Sequence, residues 1–374
     1  MGAPPRARPG IPGASAGRPI VAGISPFERP LSARASVADL WSGVEALAVE
    51  PAGFERLEKK HKVRLDGDAR QRYAAYVAQA KQYYRSVFTL DPIAKPLLGY
   101  YFALNITKAF LTAVAPMTTR DRLLHGLGDA FSKKQRYRFQ QEAFRIRKEG
   151  VFRYLAERTG GGFCYSESHA LRLVDLLPYL ADAYDLLAEP GDQVPKLVPL
   201  SDATVLFGTT KELTKNAWLR IEIDRNILRQ RNISPARLGD RARIFGSHFE
   251  LVSSNLPTFS YESRTTLVYG QRRSEVLDGL CQQFDSSLIA LQRYVTGGRR
   301  YIVLSTRPNL LSHESVTFAV MHHLSNMVRY RPNDVERLRG SKYFWLFAGW
   351  VDRACENYLL TIASRLTREE HLVV

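Results

Sequence analysis

Apolar residues recur every three or four positions along much of the chain and every second position along a central stretch, and that change of period divides it. Leu40, Trp41, Val44 and Leu47 mark a first helix, opened by Ser36-Val37-Ala38-Asp39 in the pattern of a capping box. A second helix is expected from about Asp68 to Phe88, with Tyr73, Tyr76, Val77, Ala80, Tyr84 and Val87 at helical spacing. Asp91-Pro92 and Pro96 punctuate. The stretch Gly99 to Phe131 then reads as two helices broken at Pro116, the second opening at Thr118 and carrying Arg120, Asp121 and His125. Helices on short connections make a bundle.

Beyond Phe131 the period changes. Phe144-Arg145-Ile146-Arg147 alternates like a strand and Lys148-Glu149-Gly150 like a turn, while Ser168 to Leu187 reads as an amphipathic helix kinked at Pro178. Thr204 to Phe207, Ala217 to Ile223, Arg243 to Val252, Thr258 to Tyr269 and Arg300 to Leu304 look like strands, with a short helix at Asn226 to Arg231. The last seventy or so residues return to helix. Ser312 caps a run to Tyr330 that stops at Arg331-Pro332, and a final helix spans roughly Ser341 to Leu366. The expected fold is mainly α (α+β). Residues 1–35 form a basic arm without structure, 36–190 a helical domain with a basic strand segment and 195–305 a β-rich module. Residues 306–374 form helices that pack on the bundle.

Composition adds a partner to this outline. The 374 residues carry a formal net charge of +16, and an excess of that size favours a polyanion. A solvated, arginine-rich surface would look the same. Basic residues are densest at Lys133, Lys134, Arg136, Arg138, Arg145, Arg147 and Lys148, with Tyr137, Phe139 and Phe144 interleaved. That is the make-up of a surface that contacts phosphates and stacks bases, with RNA favoured over DNA, and also of a strand edge charged against aggregation. Cys164, Cys281 and Cys355 are too far apart for a zinc motif and too few for a disulfide scaffold, which suits a reducing cytoplasm. The first thirty residues hold no apolar signal core. Gly99 to Met117 approaches the length of a membrane span, but Asn105, Lys108 and Pro116 favour a buried core helix. No phosphate-binding glycine loop or dinucleotide fingerprint occurs, so no cofactor is expected.

The chemistry centres on Arg120-Asp121-x3-His125. A helix start offers free N–H groups to an anion, a guanidinium there can hold a phosphate, and an imidazole one to two turns on can move protons. With RNA that suffices for metal-independent attack by the 2′-hydroxyl. About one Arg-x4-His pair is expected by chance from such a composition. Arg56 to His61, Arg120 to His125 and Arg243 to His248 all occur, and only the second follows a long apolar helix and has a polar residue directly after Arg. An ordinary capped helix with a partly exposed histidine fits it equally. His322 and His323 point about 100° apart on one helix and cannot easily share a metal, so one reads as core and one as surface. No nucleophile elbow and no paired acidic cluster appears.

Several stretches in succession resemble the YaaC-like bacterial proteins: QAKQYYRSVFTLDPIAKPLLGYYFALNITKAFL, LLHGLGDAF, AFRIRKEGVFRYL, LRLVDLLPYL and HHLSNMVRYRPNDVERL. The resemblance runs from about Tyr73 to the C-terminus and implies an architecture rather than an activity. The helix pair leading into Arg120-Asp121-x3-His125 is also similar to the HEPN superfamily, whose catalytic members are metal-independent ribonucleases and which includes non-nucleases, toxins and phage-defence components. That second resemblance implies that Arg120 binds the scissile phosphate, His125 transfers protons and Asp121 orients the pair, commonly across a homodimer. A non-catalytic nucleic-acid-binding or protein-binding role is the alternative.

Overall fold

The computed structural model describes residues 20–23, 29–30, 36–49, 51–116, 124–130, 138–159, 170–184, 186, 195–209, 215–253, 257–264, 267–268, 301–305, 311–367 and 369–370. In chain order the strands are β1 (Ile20–Gly23), β2 (Arg29–Pro30), β3 (Leu127–Asp129), β4 (Ala143–Ile146), β5 (Ala170–Arg172), β6 (Leu197–Pro199), β7 (Asp202–Thr209), β8 (Lys215–Asp224), β9 (Phe249–Ser253), β10 (Thr258–Ser263), β11 (Leu267–Val268), β12 (Tyr301–Val303) and β13 (Glu369–Glu370). The helices are α1 (Val37–Ala46), α2 (Ala52–His61), α3 (Gly67–Val87), α4 (Lys95–Val114), α5 (Val151–Thr159), α6 (Leu173–Leu176), α7 (Arg225–Gln230), α8 (Leu238–Arg241), α9 (Arg243–His248), α10 (His313–Tyr330), α11 (Pro332–Arg339) and α12 (Val351–Thr367). They fall into two compact units: one takes residues 30–197, 292–298 and 309–374, the other 1–29, 198–291 and 299–308.

The first unit is a helical bundle built on α4 and α10. α4 is apolar all round and long enough to cross a membrane by length and composition, but most of it is buried against α3, α10 and α12. α1 begins with the capping box read from the sequence: Ser36 accepts from the Asp39 N–H and Asp39 accepts from the Ser36 N–H. Its Trp41 then meets Tyr84 of α3 at 5.5 Å and Phe102 of α4 at 6.2 Å, both edge-to-face. α2 is tied to the far end of α12, with Lys60 and His61 donating to the carbonyls of Thr367 and Leu366. α12 follows a π-helical turn at Leu346–Trp350 within the expected final helix.

α10 is buried along nearly all of its length, so its polar residues must find partners inside the protein. Ser312 caps it by accepting from the Ser315 N–H at 3.2 Å. Glu314 accepts from Arg365 of α12 at 2.7 Å; burial alone would raise its carboxyl, but Arg365 holds it below the usual range. His313 shares a hydrogen bond with Thr317 at 3.2 Å. Phe318 packs 5.6 Å from Tyr100 of α4 and 6.2 Å from Phe152 of α5. A three-stranded antiparallel sheet, β3-β4-β5, completes this unit.

The second unit is antiparallel, in the order β1-β7-β8-β10-β9 with β11 on β8. Ala217, Leu219, Ile221 and Ile223 alternate inward along β8 onto Phe245, Phe249 and Tyr261. Part of the arm expected to lack structure pairs here, β1 aligning Ile20 with Phe207.

Three expected elements differ in the described residues. The strand expected at Arg243 to Val252 begins as α9, which approaches α8 so closely at Gly239 and Gly246 that a Cβ on Gly246 would lie 2.5 Å from the Gly239 Cα. The helix expected from Ser168 to Leu187 is instead β5, the single turn α6 and two 3₁₀ turns, because Pro178 cannot donate. The helix expected to carry His125 is absent at 124–130, as described below.

Truncating Phe318 leaves a cavity where α4, α5 and α10 meet. Phe318→Ala is expected to cost about 3–5 kcal/mol in urea unfolding, whereas Val49→Ala, at an exposed turn, stays within about 0.5 kcal/mol.

Candidate functional site: a histidine pair against the central helix

Leu124 to Gly126 is irregular chain leading into β3 rather than helix. The reason is tertiary. The first-turn N–H groups of α5 need acceptors, and the carbonyls of this segment supply them: Val151 donates to Leu124 at 2.9 Å and Phe152 to His125 at 3.1 Å. Arg147 donates to the Gly126 carbonyl at 2.9 Å. Gly126 (φ 81°) and Gly150 (φ 132°) meet back to back, and a Cβ on Gly150 would lie 2.4 Å from the Gly126 Cα. Only glycine serves at both.

This clamp sets the His125 ring. Its Nδ1 accepts the Leu127 N–H at 3.2 Å, so the neutral ring carries its proton on Nε2. The ring lies 4.6 Å from that of His322 on α10, tilted by 40°. Behind it the aromatic contacts continue: His322 to Tyr100 at 5.1 Å, Tyr100 to Tyr101 at 5.7 Å and Tyr101 to Tyr83 at 5.3 Å. Asn326 donates to His322 Nε2 at 3.4 Å, and the buried His322 Nδ1 and Tyr100 hydroxyl make no hydrogen bond. Burial, then the charge of Arg147 and that of Arg329, lower the His125 pKa despite the Leu127 bond and Asp129. Burial, followed by His125, His323 and Arg329, holds His322 well below the ordinary imidazole value. Near neutral pH both rings are uncharged.

The neighbouring histidine faces the other way. His323 Nε2 meets Glu142 at 2.8 Å, and Arg331 grips the same carboxylate with two hydrogen bonds of 2.9 and 2.8 Å. Glu142 is fully buried just before β4, and its own carbonyl accepts the Leu173 N–H at 2.8 Å. Burial would raise its carboxyl; the bonds from His323 and Arg331 outweigh that and keep it below the usual range. Both His322 and His323 are therefore core residues, and the expected core-and-surface split fails because α10 is covered on both faces. Their roughly 100° separation still sends them to different partners.

The remaining expected site residues divide sharply. Arg120, Asp121, Lys133, Lys134 and Arg136 lie outside the described residues. Arg138, Arg145, Arg147 and Lys148 are exposed, with the Arg147 guanidinium lying over Gly128. Phe139 and Phe144, expected to offer stacking faces among these charges, are buried instead, Phe139 against Tyr343 at 4.1 Å. Phe144 alternates with the exposed Arg145 on β4 and so points inward, whereas Phe139 is buried in the 3₁₀ turn Phe139–Gln141. His61 of the first chance pair is spent on the Leu366 carbonyl. A cleft of about 540 Å³ is lined by Arg64, Arg70, Arg72 and Asp66, and by Pro116, the last described residue before the segment that holds Arg120. Sequence reading passed over Glu142, Tyr100, Tyr101 and His322 as site residues. The signal that could have found Glu142 was a lone carboxylate just ahead of an apolar strand.

The family description of the YaaC-like proteins matches residues 50–366, most of the chain. The chain belongs to the YaaC-like family. No curated protein and no solved structure matches it. The matched span of this YaaC-like chain holds His125, Glu142, His322, His323 and Arg331, so the histidine pair and the buried carboxylate both lie within the family's own region.

Three outcomes follow from this geometry. Gly150→Ala places a methyl group against the Gly126 backbone and is expected to cost about 1–3 kcal/mol of stability by urea unfolding. Glu142→Ala removes the acceptor shared by the buried His323 ring and the half-buried Arg331 guanidinium and is expected to cost about 3–5 kcal/mol. His322 binds its proton near pH 6.5 when unfolded and far less readily when folded, so its contribution is whole above that value and is lost as pH falls. The drop in unfolding free energy between about pH 7 and pH 5 should thus be smaller in His322→Phe than in the parent.

Proposed function

We propose that this YaaC-like protein is a metal-independent endoribonuclease with His125 as its general base. One observation carries the reading: a half-buried imidazole, uncharged near neutral pH and with its Nδ1 already committed to the Leu127 N–H, faces the charges of Arg147 and Arg329. A neutral imidazole can accept the 2′-hydroxyl proton, and guanidinium groups can stabilise the charge that develops on the phosphoryl oxygens. Arg120 and Asp121 enter by their resemblance to the HEPN pattern, as phosphate-binding and orienting groups. The arginine-lined cleft at Pro116 suits an anion. Arg138, Arg145, Arg147 and Lys148 extend the positive surface and favour RNA as the partner. These same exposed charges also support a second reading, in which the protein binds RNA without cutting it. A homodimer, a cytoplasmic location and a defence or toxin-like role belong to the first reading.

The purified parent should cleave RNA in EDTA, and His125→Ala should slow cleavage by about 10²–10⁴-fold at unchanged folding. The rate should rise with pH as His125 loses its proton and level off by about pH 7, since its folded pKa lies below the ordinary value. Equal cleavage by parent and variant, or none by either, rejects the nuclease and leaves the binding reading.

A further inference from the structure

Arg329 and Tyr330 lie at the C-terminal end of α10, where the helix emerges from the bundle. Both are exposed, Tyr330 to 65%. The Arg329 guanidinium lies 4.8 Å from the Tyr330 ring centroid and 5.8 Å from that of Tyr101 on α4. Tyr101 in turn stacks on Tyr83 of α3 at 5.3 Å and 25°, which leaves a flat tyrosine pair at the bundle surface. Lys108 adds a second cation over a ring, 5.4 Å from Tyr76 of α3.

The patch connects to the histidine pair. Tyr101 contacts Tyr100, Tyr100 contacts His322 and His322 contacts His125, each through its ring, and the charge of Arg329 reaches both histidines. Directly before His125 stands Leu124, an apolar side chain 67% exposed. His125 thus has the exposed Leu124 beside it in sequence and feels the charges of Arg147 and Arg329. Glu142 is fully occupied by His323 and Arg331, so the charge of Arg329 is not answered there.

We infer that the exposed Tyr330 ring, with Arg329 over it, is a stacking site for an unpaired base of single-stranded RNA. The inference rests on RNA being the partner and adds the class of RNA: single-stranded, because a stacked duplex offers no free base face. Tyr330 supplies a ring face to a base, and every base has such a face, so the contact is tolerant of sequence. Arg329 lies over the same ring and pairs with the phosphate that follows. The buried Phe139 and Phe144 are unavailable for this task, which falls to Tyr330 at the end of α10.

The test measures binding and not cleavage, by fluorescence anisotropy on the full chain carrying His125→Ala, in EDTA. The probes are a labelled single-stranded RNA of about ten nucleotides and the same strand in a duplex. The single strand should bind more tightly. Tyr330→Ala should weaken it by about 5- to 100-fold with no change in the slope of log affinity against log salt, and Tyr330→Phe should restore it. Arg329→Ala should weaken it and reduce that slope by about one phosphate contact. Tyr330 is exposed, so its loss leaves the core intact, and an unchanged circular dichroism melt confirms that. Equal affinity for strand and duplex, or unchanged binding by Tyr330→Ala, overturns the stacking site. Tyr330-dependent binding by a parent that does not cleave RNA rejects the nuclease and keeps the stacking site. His125-dependent cleavage with Tyr330→Ala unaffected does the reverse.

Discussion

The carboxylate of Glu142 is the point on which the described part of the site depends. It is taken wholly out of water, which no ionised group tolerates without partners, and two cationic or hydrogen-bonding side chains of the α10 end supply them. Because Glu142 immediately precedes β4, this one charge cluster ties the β3-β4-β5 sheet to the central helix. His125 sits at the entry to β3, so the same tie holds its ring against His322. A cluster of this kind stabilises little in net terms against an apolar replacement, yet removing one member strands the others. Its value is in registering two elements.

α10 gathers several such ties because it is buried while carrying polar residues. Glu314 is answered from α12, His323 from the sheet, and His313 from within its own helix. Each partner sits on an element that also contributes apolar side chains to the same core. Packing and polar satisfaction therefore point to one arrangement of the bundle, a consistency expected of a well-specified fold.

The chemistry follows from what this arrangement does to imidazoles. Burial beside arginines removes the proton that a free histidine would partly hold near neutrality, so His125 faces any ligand as an acceptor with a fixed tautomer. Nearby, Arg329 lies over the exposed Tyr330 ring at the end of α10.

Much of the helical architecture is written in local pattern: the Ser36 capping box, the α3 stripe from Tyr73 to Val87 and the Ser312 cap of α10 each depend on residues within one or two turns. So does the alternation of β8, and the family is legible in successive short stretches spread along the chain. The position of His125 is different in kind. Its apolar surroundings carry a helical period, and only the meeting of Gly126 with Gly150, together with acceptors needed by the first turn of α5, keeps that segment out of a helix. The burial of Phe139, Phe144 and both adjacent histidines likewise depends on which faces other elements cover. Local periodicity determined where elements form, because helices and strands answer to neighbours in sequence. Only the tertiary structure decided which side chains share a site, because contacts between residues two hundred positions apart leave no periodic trace.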